Sequence, residues 1–61
     1  LKVSELTKQL KKAGCYLLQH GKEHDEWYSP LTDKKFRVPR HQSKEMANGT
    51  VNRILKDAGL K

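Results

Sequence analysis

Two short runs of alternating character, HDEWYS at residues 24–29 and KKFRV at residues 34–38, flank the tetrad PLTD at residues 30–33. Alternation at a period of two marks strands that bury one face, and a turn with Pro first and Asp last suits an antiparallel connection between them. A hairpin there constrains the rest of the fold, because its apolar face must be covered and only the remaining chain can cover it. The run CYLLQH at residues 15–20 is short, aromatic and aliphatic, and is bounded by Gly14 and Gly21, so it predicts another strand ahead of the hairpin. Pro39 has no N–H to give to a ladder and ends the third strand.

The cover comes from both ends of the chain. Val3, Leu6, Leu10 and Ala13 recur at three- and four-residue spacing, with Ser4 placed to cap and Gly14 to stop. The spacing therefore predicts a helix over 4–13, with Lys8, Lys11 and Lys12 on its wet side. After the polar link RHQSKEMANG, Val51, Ile54, Leu55 and Ala58 form a second stripe, with Asn48, Gly49 or Thr50 as cap and Gly59 as stop. The expected fold is α+β: a two-layer α-β-β-β-α arrangement with a three-stranded antiparallel sheet, both helices on one sheet face and the other face open. With 61 residues and 34% hydrophobic content, residues 1–61 have room for one domain around one small core.

Alternation also sorts the hairpin's side chains. Phe36 and Val38 share one face, and Lys35 and Arg37 share the other. Trp27 goes with Asp25 and Ser29, and His24 with Glu26 and Tyr28. Trp27 would expose the most apolar surface if turned outward, so its set faces the helices. His24, Glu26 and Tyr28 are thereby expected on the open face with Lys35 and Arg37. A register that pairs Ser29 with Lys34 sets Glu26 opposite Arg37 and Tyr28 opposite Lys35, at about 5 Å between Cβ atoms. Tyr16, Trp27 and Phe36 are expected in the core, leaving Tyr28 as the exposed aromatic. The faces of the first strand stay unassigned, because neither Cys15, Leu17 and Gln19 nor Tyr16, Leu18 and His20 form a polar set.

Thirteen Lys and Arg against seven Asp and Glu give a net charge of +6. That balance attracts polyanions and weakens with salt, which makes nucleic acid the first candidate partner and an acidic protein the second. The lone Cys15 excludes a disulfide framework. No apolar run approaches the roughly 18 residues of a membrane span. The expectation is a soluble cytoplasmic protein without a membrane partner, and the missing initial Met implies that one or a few residues precede Leu1. Cys15, His20, His24 and His41 match none of the usual zinc spacings, and alternation sends Glu23, His24, Asp25 and Glu26 to opposite sides, so no metal and no cofactor is expected.

The open face carries the candidate chemistry. RNA is cleaved without metal when its own 2′-hydroxyl attacks the adjacent phosphate, provided one group takes the proton and another opposes the extra negative charge. Histidine suits the first task at neutral pH, and lysine or arginine the second. His24 with Lys22, Lys35, Arg37 or Arg40 supplies both types. Glu23 and Asp25 favour a charged His24 if their side chains come close. Tyr28, Arg40 and His41 are candidates for substrate contact. His20 and His41 read more simply as surface residues, and Cys15 as a small packing residue.

The opening ELTKQLKKAG, the hairpin start GKEHDEWYSP, the strand FRVPRH and the ending GTVNRILKDAGL, in that order over nearly the whole chain, resemble the HicA toxins of bacterial HicAB toxin-antitoxin systems. The resemblance implies a fold similar to a double-stranded-RNA-binding domain. It implies an endoribonuclease that cleaves mRNA, arrests growth, works as a small monomer when free, and is neutralised by a HicB-type antitoxin. The family's active-site histidine, at the start of the second strand, matches His24. Many members have Gly-Ser immediately before that histidine, whereas this chain has Lys22-Glu23, with Gly21 one place earlier. Beside the ribonuclease stand two other readings: a non-catalytic RNA-binding module of the same fold, and an adaptor whose positive face holds an acidic protein.

Overall fold

The computed structural model describes residues 1–61. The elements run α1 (Val3–Lys12), β1 (Tyr16–His20), β2 (His24–Ser29), β3 (Lys34–Pro39) and α2 (Asn48–Ala58). The strands form one antiparallel sheet in the order β1-β2-β3. This is the α-β-β-β-α order that the periodicity predicts, and it is consistent with the fold that the resemblance implies. No helix is long and apolar enough to cross a membrane.

Along α1, Val3, Leu6 and Leu10 are wholly buried on one stripe, while Lys8, Lys11 and Lys12 are exposed. The helix starts earlier than expected, with Lys2 rather than Ser4 as its N-cap residue. The reason lies 40 residues along the chain, in numbers 42–46. Lys2 bridges to Glu45, and the N–H groups of Val3 and Ser4 donate to the carbonyls of Lys44 and Gln42, each at 3.0 Å. Donors that a capping hydroxyl normally satisfies are thus bonded to the incoming link. The Glu5 carboxylate accepts the Lys2 N–H at 3.1 Å, which adds a favourable acidic group to the first turn.

The second helix also starts without a side-chain cap, on Ala47 rather than on Asn48, Gly49 or Thr50. Its far end is held instead by the hairpin. The Ser29 hydroxyl donates to the Ala58 carbonyl at 2.7 Å, and the Thr32 hydroxyl donates to the Asp57 carbonyl. Two carbonyls that the helix itself leaves without partners are satisfied this way. Gly59 then turns the chain at φ +85°, a left-handed conformation that favours glycine.

Both helices and the inner sheet face meet in one cluster of 11 buried residues. Leu6, Leu10 and Ile54 from the helices pack there with Trp27, Phe36 and Val38 from the sheet. Fully burying a leucine of this kind stabilises by about 1.5–3 kcal/mol. Met46 belongs to the cluster too, although it lies in the stretch expected to be a polar link. Its backbone N–H is bonded to the Leu1 carbonyl at 2.9 Å, which draws that part of the link against the start of α1.

The β2–β3 register is the expected one: Ser29 pairs with Lys34, Tyr28 with Lys35, Trp27 with Phe36 and Glu26 with Arg37. Trp27 is 5% exposed, and Asp25 and Ser29 are buried with it. His24 is exposed, and Glu26 and Tyr28 are half-buried on the opposite face. The turn closes through Asp33, whose φ of +54° Asp tolerates better than most residues, and whose carboxylate accepts the Tyr28 hydroxyl.

Strand β1 resolves what its sequence leaves open. It pairs Tyr16 with Tyr28, Leu17 with Trp27, Gln19 with Glu26 and His20 with Asp25, with a register shift between Leu17 and Gln19. Leu18 is the extra residue of that irregularity, and the single inside/outside alternation fails across it. Tyr16, ahead of that irregularity and paired with Tyr28, lies on the open face at 50% exposure, against the expectation that it is core. Cys15, 3% exposed, takes the inward place before it, and strand geometry turns the next side chain outward.

Candidate active site

The open sheet face is ordered in cross-strand rows. Tyr16, Tyr28 and Lys35 form one, and Gln19, Glu26 and Arg37 the next. His24 begins β2 beyond them, opposite Pro39. A groove of about 410 Å³ opens at this end of the sheet, lined by Gln19, Lys22, Glu23, His24, Glu26 and Arg37 around the backbone of Gly21, with no hydrophobic side chain among them.

The turn that carries Lys22 and Glu23 is shaped by Gly21. A Cβ at that position would lie 1.9 Å from the His24 carbonyl oxygen, far inside any real contact, so only a glycine lets the turn fold back onto the first residue of β2. From the end of β3, Arg40 holds the same turn. Its guanidinium donates to the Gly21 carbonyl at 2.9 Å and sits 3.4 Å from the Asp25 carboxylate, while its backbone N–H donates to the Glu23 carbonyl at 3.2 Å. His20 Nδ1 approaches the same Asp25 oxygen at 3.1 Å. Asp25 is thus engaged by His20 and Arg40 on the helix side of the sheet, away from the face that presents His24.

The candidate residues consequently separate into three groups. Lys22 and Arg37 line the groove with His24. Tyr28 and Lys35 lie on the same face, one row past Glu26 and Arg37. Arg40 and His41 are outside the groove: Arg40 is engaged as described, and His41 is an exposed loop residue whose carbonyl accepts the Lys44 N–H at 3.1 Å. No three His, Cys, Asp or Glu side chains converge into a cluster that could hold a metal ion.

Three groove residues escape a reading of the candidate cations and histidines alone. Glu23 and Glu26 stand beside Lys22 and Arg37, so the local formal charge is balanced around His24 although the chain as a whole is strongly basic. Gln19 enters from β1, where the irregular register conceals its side from any simple alternation. Farther along the face, the Tyr28 hydroxyl is held above its ordinary pKa, first by its hydrogen bond to Asp33, then by partial desolvation and by the nearby Asp33 and Tyr16 charges.

The arrangement offers an exposed imidazole at the start of a strand, two cations, two carboxylates and an amide within one open groove, and an aromatic pair on the same surface. Such a set can exchange a proton and oppose negative charge on a bound polyanion. No curated protein and no solved structure matches the chain. A protein-family comparison matches residues 3–60 to the HicA toxin of bacterial toxin-antitoxin systems. With that match spanning all five elements, the chain belongs to the HicA toxin family.

Proposed function

We propose that this toxin is a metal-independent endoribonuclease that cleaves mRNA, with His24 as the group that moves the proton. The observation that carries the reading is the exposure of His24 in a groove that also contains Lys22 and Arg37. In the reaction the imidazole takes the proton of a 2′-hydroxyl as that oxygen attacks the adjacent phosphorus. The bond from phosphorus to the 5′-oxygen breaks, and the imidazolium returns the proton to the departing oxygen. The products are a 2′,3′-cyclic phosphate and a 5′-hydroxyl end. Lys22 and Arg37 oppose the charge of the phosphorane, which is the step at which a positioned cation accelerates the reaction. Lys35 and Tyr28 hold the strand farther along the sheet face.

On this reading residues 1–61 form a single toxin domain that acts in the cytoplasm. Its neutralising partner is a HicB-type antitoxin that covers the groove and keeps RNA from His24. The free toxin is a monomer. The test is incubation of the purified protein with single-stranded RNA in excess EDTA. Cleavage that persists and is abolished by His24→Ala supports the assignment, and relief of growth arrest by the same substitution supports it in cells. Strict dependence on Mg²⁺, or RNA binding without turnover that His24→Ala leaves untouched, replaces it with a metal-dependent nuclease or a binding module.

A further inference from the structure

We infer that Tyr16 and Tyr28 form a base-stacking platform for single-stranded RNA, on the same sheet face as the His24 groove. The inference deepens the ribonuclease reading and rests on it for the identity of the ligand. The two rings lie side by side across β1 and β2, with centroids 5.4 Å apart and planes inclined by 55°. They do not stack on one another, and Tyr16 keeps half its surface in water. The core makes no use of either, because the helices cover the other sheet face, where Trp27 and Phe36 supply the aromatic packing.

The platform is preorganised and charged at one side. The bond from the Tyr28 hydroxyl to Asp33 anchors that ring at its far end, so less rotamer freedom is lost when a base settles on it. Lys35, exposed and directly across from Tyr28 on β3, is placed for the phosphate of the stacked nucleotide. Tyr28 lies four residue steps along β2 from His24, a distance of about 13 Å at the usual rise per residue. A strand of a few nucleotides bridges that distance, passing the Gln19, Glu26 and Arg37 row on the way.

This layout distinguishes single strands from duplexes. In a duplex the bases are stacked on each other and offer no free face, and protein contact is confined to 2′-hydroxyls, phosphates and a shallow minor groove. Aromatic side chains on an open surface gain nothing from such a ligand. Unpaired bases, in contrast, stack on them with little regard to sequence.

The test measures fluorescence anisotropy of a non-cleavable single-stranded RNA carrying 2′-O-methyl groups, and of an unmodified duplex of the same sequence, whose 2′-hydroxyls stay free for contact. Stacking energies of the usual size predict that Tyr16→Ala or Tyr28→Ala raises Kd for the single strand by about 5- to 150-fold. Tyr16→Phe keeps the ring and is expected to keep most of the affinity. Tyr28→Phe keeps the ring but loses its anchor on Asp33 and is expected to fall between the wild type and Tyr28→Ala, and the duplex is expected to bind more weakly. Unchanged Kd in both alanine variants, or tighter binding of the duplex, overturns the platform. So does a loss confined to antitoxin binding, which marks the tyrosines as a protein contact. A parallel cleavage assay separates the two readings: wild-type cleavage that needs His24, with tyrosine-independent binding, sinks the platform alone. Tyrosine-dependent binding without any cleavage sinks the ribonuclease assignment and leaves the platform standing.

Discussion

Gly21 lies directly against His24, so close that a methyl group on the first would overlap the backbone carbonyl of the second. Gly21→Ala therefore has to displace either the turn or the start of β2, and the imidazole moves with it. Displacements of about 1 Å at a reacting group cost on the order of 100-fold in rate. If His24 moves the proton as proposed, RNA cleavage by Gly21→Ala is expected to fall by about that factor while circular dichroism still reports the folded chain. Gly49 provides the contrast, since nothing lies within 4 Å of its added Cβ and it sits in α2. Gly49→Ala is expected to raise unfolding stability by about 0.4–1 kcal/mol without changing cleavage.

Arg40 acts on the same turn from behind. The bond of its guanidinium to the Gly21 carbonyl and its pairing with Asp25 support a positioning role for this side chain, which stands beside the expected role as a contact for RNA. Arg40→Ala is expected to lower kcat with little change in Kd for RNA. Arg40→Lys restores the charge but not the planar fork that reaches two acceptors, and is expected to rescue poorly. A raised Kd with a shallower salt dependence and unchanged kcat would instead make Arg40 a phosphate contact.

Ser29 fastens the hairpin to the end of α2. The serine and Ala58 are both wholly buried, so removing the hydroxyl leaves a carbonyl with no access to water. Ser29→Ala is expected to destabilise by about 1–3 kcal/mol in urea unfolding. For a chain of this length the total stability is roughly 3–9 kcal/mol, so the shift in midpoint is large enough to measure directly.

Tyr28 offers a titration that reports on the hairpin turn. Its hydroxyl holds its proton above the ordinary tyrosine range because Asp33 accepts that proton in a hydrogen bond. The folded state thus binds the proton more tightly than the unfolded one, and the associated stabilisation is complete below the ordinary tyrosine pKa and lost as pH rises through the folded value. In a Tyr16→Phe background, tyrosinate absorbance is expected to appear at higher pH than in the unfolded chain. Asp33→Asn is expected to bring the midpoint back down, and an unchanged midpoint would rule out Asp33 as the cause.

The β2–β3 hairpin was legible from its residues because its information is local. The alternation through Trp27 and Phe36 and the four residues of PLTD specify the strands, their register and the face that carries His24. The helix stripes were legible for the same reason, since Leu6 with Leu10 and Ile54 with Ala58 follow helical spacing. Their starts were not, because the donors near Ser4 are satisfied by the carbonyls of Gln42 and Lys44, which no local window contains.

Sequence periodicity alone determined the order of elements and turned His24 toward the open face, since a buried indole and a two-residue repeat leave that imidazole nowhere else to point. Tertiary structure decided that Tyr16 joins Tyr28, that Gln19 reaches the groove and that Arg40 is drawn back to Asp25. The physical reason is that the pairing of β1 with β2 fixes the side of Tyr16, that one extra residue at Leu18 then breaks the alternation ahead of Gln19, and that hydrogen bonds between distant segments choose their partners only after the layers have packed.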